Sequence, residues 1–170
     1  MRRVCAALAL VAALVTGWSA ARAEVIFQRA TGQWTLAAYT KNGSMEFSHC
    51  MIDATYKSGA RLALWVTYDA IFSMGVFELP SEPARAKLTE IHYRFDAGQP
   101  RIAKQLVNRP TDFIAMLPED ETFVNEVRTA TLLLIATEAG NFSFKLPGMT
   151  QAFDDMLDCV MEQNAAKPRS

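Results

Sequence analysis

The sequence predicts an α+β domain: a predominantly antiparallel β-sheet of about nine strands, closed by a C-terminal amphipathic helix. Three observations carry that prediction. Short segments of alternating apolar and polar residues recur from Trp34 to Leu146, punctuated by Asn42-Gly43, Lys57-Ser58-Gly59 and Asp96-Ala97-Gly98, which is the period and the turn chemistry of strands. Near the end the period changes to that of a helix, with Phe153, Met156, Leu157 and Val160 at offsets of three, four and seven. No fixed-period repeat and no linker-like composition divides the chain, so these elements are expected to share one core.

Of the 170 residues, 51% are hydrophobic. Residues 1–23 read as a secretory signal peptide: Arg2 and Arg3, an apolar run from Val4 to Val15, then the small-x-small sequence Ala21-Arg22-Ala23. The apolar run is too short to span a bilayer, which takes about 20 residues, so no membrane association is expected after cleavage. Loss of this segment leaves 14 basic and 18 acidic residues, a net charge of −4. With no basic stripe, a nucleic-acid partner is not expected. Residues 24–170 form the expected globular domain, periplasmic or secreted, with residues 164–170 frayed.

Residues 24–32 show little regular pattern and are read as an extended arm. A strand follows over 34–41, with Trp34, Leu36 and Ala38 on one side. Asn42-Gly43 predicts a type I′ hairpin turn, because both residues tolerate positive φ. The partner strand covers 45–54, with Phe47, His49 and Met51 on one face and Ser48, Cys50 and Ile52 on the other. The run 60–67 is apolar on nearly both faces and is read as a central strand. Residues 71–79 form another strand that stops at Pro80, so four consecutive strands make an antiparallel meander. Residues 81–87 are polar and cross to the second half.

There Ile91, Tyr93 and Phe95 alternate with Glu90, His92 and Arg94, giving one buried and one solvated face. Strands over 102–107 and 111–117 follow, then a short helix that starts at the acidic Glu119-Asp120-Glu121 and buries Phe123, Val127 and Ala130. Residues 131–137 and 142–146 are the last strands. Pro147-Gly148 ends the second of them. Thr150 is placed as the N-cap of the closing helix, with its start near Gln151 and with Asp154 and Asp155 favouring its positive end.

The mature chain keeps two cysteines, Cys50 and Cys159, and in an oxidising compartment these predict one disulfide. The Cys50 face of its strand must then look at the closing helix.

The stretch Phe142-Ser143-Phe144-Lys145-Leu146-Pro147-Gly148-Met149-Thr150-Gln151-Ala152-Phe153 resembles the strand, glycine and helix that end the invasion-associated locus B family of secreted bacterial proteins. The order of parts before it is also similar: signal peptide, early tryptophan, early cysteine, apolar strands. The resemblance implies a β-rich periplasmic or outer-surface protein of non-enzymatic character, linked in its family to host-cell interaction. It carries over no functional residues.

Catalytic signals are few. His49 sits beside Cys50, but neighbours on a strand point to opposite faces, and a disulfide would consume the thiol. His92 shares its face with Glu90 and Arg94, which suggests a solvated charged row. Ser48 and Ser73 lie in no nucleophile elbow, and the acidic triplet at 119–121 is a helix start. No Cys-x-x-Cys, Cys/His cluster, phosphate loop or calcium loop is present, so no catalytic residue, metal or cofactor is assigned. Trp34, Tyr39, Tyr56, Trp65 and Tyr68 are read as core or edge-covering residues ahead of ligand-lining ones. The resulting expectation is an exported binding or host-interaction protein without catalytic activity, its partner an unknown protein or small molecule. The alternatives are a small secreted hydrolase using His49 or His92 with an acidic residue, and an inhibitor presenting residues 81–87.

Overall fold

The computed structural model describes residues 23–79, 89–109, 112–137 and 140–166. Residues 1–22 of the expected signal peptide, the crossing loop 81–87 and residues 167–170 lie outside them. The described elements are β1 (Val25–Thr31), β2 (Trp34–Thr40), β3 (Phe47–Thr55), β4 (Arg61–Thr67), β5 (Phe72–Phe77), β6 (Thr89–Phe95), β7 (Arg101–Arg109), β8 (Asp112–Met116), α1 (Glu121–Thr129), β9 (Leu132–Thr137), β10 (Gly140–Lys145) and α2 (Met149–Ala165). All ten strands pair antiparallel in one sheet, in the order β1-β2-β3-β4-β5-β8-β7-β6-β9-β10. The meander of β2 to β5 and the central place of β4 agree with the sequence. The tenth strand is β1, which had read as an arm. It is an edge strand held to β2 by its backbone, with most side chains exposed, so no burial pattern marks it.

Even-numbered residues of β2 to β5 and odd-numbered residues of β6, β8 and β9 face one core, among them Leu36, Ile52, Leu62, Met74, Ile91, Phe113 and Leu133, each buried. The sheet curls back on itself around this core. Tyr56, just after β3, packs edge-on against Phe144 of β10 with centroids 5.0 Å apart, although seven places separate the two strands in the sheet. Twist accumulated over ten strands brings such distant elements together. The Trp34 indole N–H donates to the Pro147 carbonyl at 3.0 Å, tying β2 to the corner before α2.

The loop between β2 and β3 departs from the expected two-residue turn. Of Asn42 and Gly43 only Gly43 takes positive φ, at 73°. The Lys41 N–H instead donates to the Glu46 carbonyl at 2.7 Å across a six-residue loop. A bulge follows: Tyr39 lies opposite His49 but Thr40 lies opposite Phe47, leaving Ser48 as the extra residue. The bulge resets the alternation. Phe47 therefore turns into the core, 5% exposed, and does not share the face of His49 and Met51.

α1 begins at Glu121, two residues after the acidic start expected at Glu119, with the Asp120 carboxylate capping it by accepting the Phe123 N–H at 2.9 Å and Phe123 and Val127 buried. α2 begins two residues earlier than expected, at Met149, behind Gly148 in the left-handed conformation. Thr150 is not its cap; its hydroxyl donates to the Arg128 carbonyl at 2.8 Å. Asp154 and Asp155 also have tertiary partners, Arg128 at 2.8 Å and the Thr31 hydroxyl at 2.7 Å, so they tie α2 to α1 and β1. The helix continues through Asn164, the first residue of the tail expected to fray, and its amide donates to the Tyr68 carbonyl at 3.1 Å. Phe153, Met156, Cys159 and Val160 are buried against the sheet. Phe153 stacks on Phe72 at 5.9 Å, and Phe72 meets Phe123 edge-on at 6.4 Å, so one aromatic line joins β5 to both helices.

Candidate functional site

The Cys50–Cys159 disulfide joins β3 to α2 across a sequence separation of 109, with Cα atoms 6.2 Å apart. Both residues are buried, and the bond fastens the helix to the sheet. His49, one residue away, points to the opposite side, as the strand period requires.

That opposite side, the outer face of β2 to β5 and β8, is where the unusual chemistry of the described residues gathers. The cross-strand register sets the rows: Ala37, Met51, Trp65, Ser73 and Met116 form one, and Thr35, Asp53, Ala63, Gly75 and Ile114 the next. Ala37, Ala63 and Ser73 face outward yet are buried, because larger neighbours close over them. A Cβ on Gly75 would lie 2.6 Å from Phe77 Cζ and 3.0 Å from Trp65 Cζ3, so both rings lean across the glycine. The Arg61 guanidinium covers the Phe77 ring at 4.8 Å and stands 4.0 Å from the Asp53 carboxylate, while its Nε is buried without a partner. Tyr39 and His49 stack across β2 and β3 with centroids 4.9 Å apart.

Three titratable groups on this face are displaced toward their neutral forms. Burial raises the Asp53 carboxyl, against the opposing effect of Arg61. Burial, then the Asp53 charge, raises the Tyr39 hydroxyl, and burial lowers the His49 imidazole. The common cause is a face that holds water off its polar groups. His49 Nδ1 lies 3.0 Å from the Ser48 hydroxyl, a contact between chain neighbours. Asp53 is four residues along the same strand, about 13 Å away at the rise of an extended chain, too far to orient the ring.

The structure sorts the aromatic residues singled out in the sequence. Trp34 is core, Tyr56 covers the β10 edge, Tyr39 and Trp65 belong to the outer face, and Tyr68 is exposed beneath the Lys41 ammonium, 4.5 Å away. His92 is exposed on the outer face of β6 with Glu90 and Arg94, as expected. The sequence did not single out Arg61, Phe77 or Met116. A signal for the first two existed in the apolar character of both faces of β4 and β5. Among the described residues no group of three His, Cys, Asp or Glu is placed to hold a metal, and no helix is long and apolar enough to cross a membrane. An open cleft of about 780 Å³ lies between β1, the loop before β3 and the end of α2, lined by Val25, Ile26, Met45 and Phe47 with Glu24 and Glu46.

With this architecture in view, comparison with solved structures gives a clear likeness. The fold is similar to that of invasion associated protein B from Bartonella henselae. The likeness covers 80% of this chain and 98% of that one, with a TM-score of 0.55 and 14% sequence identity. It thus extends far beyond the closing strand, glycine and helix. At that identity it establishes the fold; activity and partners need their own evidence. No family model matches the chain, and no curated protein matches its sequence.

Proposed function

We propose that this chain is an exported protein that acts by binding a partner through the outer face of β2 to β5 and β8, without chemistry of its own. The observation that carries this reading is that face itself. Met51, Trp65, Phe77, Ile114 and the 64% exposed Met116 surround Asp53 and Arg61, a mixture of aromatic, Met and Arg side chains typical of interface centres. A disulfide supports an oxidising destination, periplasmic or extracellular, and processing after Ala23 is part of the proposal. The name of the structural neighbour links that protein to invasion; for this chain a host-cell partner is the corresponding proposal.

The test is to export the protein, confirm by intact mass that it begins at Glu24, and measure saturable binding to host-type cells. Trp65→Ala combined with Met116→Glu is expected to weaken binding tenfold or more while the fold is retained. Equal binding by wild type and variant would remove the assignment of this face. A hydrolase reading has one observation in its favour, the contact between Ser48 and His49. Turnover of a test ester or peptide that disappears in both Ser48→Ala and His49→Ala would establish it in place of the binding reading.

A further inference from the structure

A second, smaller cleft of about 420 Å³ lies on the other half of the sheet, over β6, β9 and β10. On the side of His92, Arg94 and Asn141 its apolar lining includes Leu134, Ala136 and Pro100. The register explains the grouping: Ala136 stands between His92 and Asn141, and Arg94 lies opposite Leu134. Among the described residues no carboxylate lines the cleft. Glu90, the acid nearest along β6, stands opposite Lys104 on β7. His92 and Arg94 are both exposed, and neither has a hydrogen bond or ion pair with a described residue.

We propose that this cleft binds an apolar monocarboxylate, such as a medium-chain fatty acid. The volume falls in the range of small-molecule sites, and the pattern of apolar lining with a few convergent polar groups is theirs as well. Arg94 presents a planar guanidinium able to hold a carboxylate through two parallel hydrogen bonds. His92 and Asn141 flank it as further donors, and the hydrocarbon body rests on Leu134, Ala136 and Pro100. One guanidinium balances one negative charge, which matches a single carboxylate head. The site is separate from the outer face of β2 to β5, so it stands or falls independently of that proposal.

The test uses the exported protein with decanoate below its micelle-forming concentration, beside decylammonium of the same length. Titration calorimetry and backbone amide shifts are the readouts. One decanoate is expected to bind, with shifts centred on His92, Ala136 and Asn141, and decylammonium at least fivefold more weakly. Arg94→Gln, at an exposed side chain with no described partner, keeps the fold; it is expected to weaken decanoate at least fivefold and erase the preference for it over the amine. Leu134→Asp is expected to abolish binding. Failure of decanoate to bind, equal binding of the amine, unchanged affinity in Arg94→Gln, or shifts centred on the cleft beside β1 would each overturn the proposal.

Discussion

The Tyr56 hydroxyl donates to the Lys145 carbonyl at 2.7 Å. Lys145 belongs to β10, an edge of the sheet, so a residue following the third strand occupies a ladder acceptor of the tenth. An open strand edge invites pairing with other chains, and covering it is one way a β protein stays monomeric. The same ring packs edge-on against Phe144, and burial pushes its hydroxyl pKa up to about 12.

Tyr56→Phe keeps the ring contact and removes only the hydrogen bond, so a loss of about 1 kcal/mol is expected in urea unfolding. The sign of the alkaline effect follows from the raised pKa. Below pH 10 both states are neutral at this residue; between 10 and about 12 the unfolded phenol ionises first, and stability falls as pH rises. Tyr93 is pushed to about 12 by burial as well, so the variant should show a shallower alkaline decline, not a flat one.

Removing the disulfide by replacing both Cys50 and Cys159 with Ala should cost about 5 kcal/mol in the chain-entropy model for a closed loop of this length. The comparison is the unfolding midpoint of the variant against the oxidised protein. Because both cysteines are buried, reductant added to the folded protein should act slowly, at a rate set by opening of α2. Rapid reduction under native conditions would contradict the packing of α2.

Acid should weaken the fold, and two of the groups responsible can be tested separately. The Thr131 hydroxyl, helped by nearby backbone amides, holds the Asp96 carboxyl below its ordinary value. Its contribution is present above the unfolded pKa of about 4 and is lost as pH falls through the lower folded value. Burial lowers His49, so below 6.5 the unfolded imidazole protonates first and stability again falls with pH. In chemical unfolding from pH 8 to 3, Asp96→Asn should be less stable than wild type at neutral pH, by a margin that shrinks as pH falls below about 4. His49→Gln should lack the decline that begins near pH 6.5.

Gly75→Ala tests the outer face without touching the inner core. The new methyl would sit where the Phe77 and Trp65 rings now lie, at an overpacking cost of about 1–3 kcal/mol. Displacement of Trp65 should shift tryptophan emission to the red and reduce partner binding. Unchanged emission together with unchanged stability would mean that the rings do not rest on the glycine.

Local signals in the chain were enough for most of the sheet. Strand β6 is the clearest case: Ile91, Tyr93 and Phe95 are buried while Glu90, His92 and Arg94 are exposed, because each strand reports its own faces through a period of two. Phe153, Met156 and Val160 likewise declared the buried side of α2. The failures occur where a tertiary partner replaced a local one. Thr150 looked like a cap and bonds Arg128; Asp155 looked like a dipole partner and holds Thr31. Phe47 was placed on the wrong face because the bulge at Ser48 depends on how β2 and β3 align.

By itself, then, the sequence determined the fold class, the strands with a buried face, the closing helix and the Cys50–Cys159 pair, all of which rest on periodicity or on the chemistry of single residues. Only the tertiary structure decided that β5 lies beside β8, that Tyr56 reaches Lys145, and that Asp53, Arg61 and Phe77 meet on one outer surface. Those outcomes depend on strand order and on accumulated twist, which join residues far apart in the chain and so leave no trace in any short window of it.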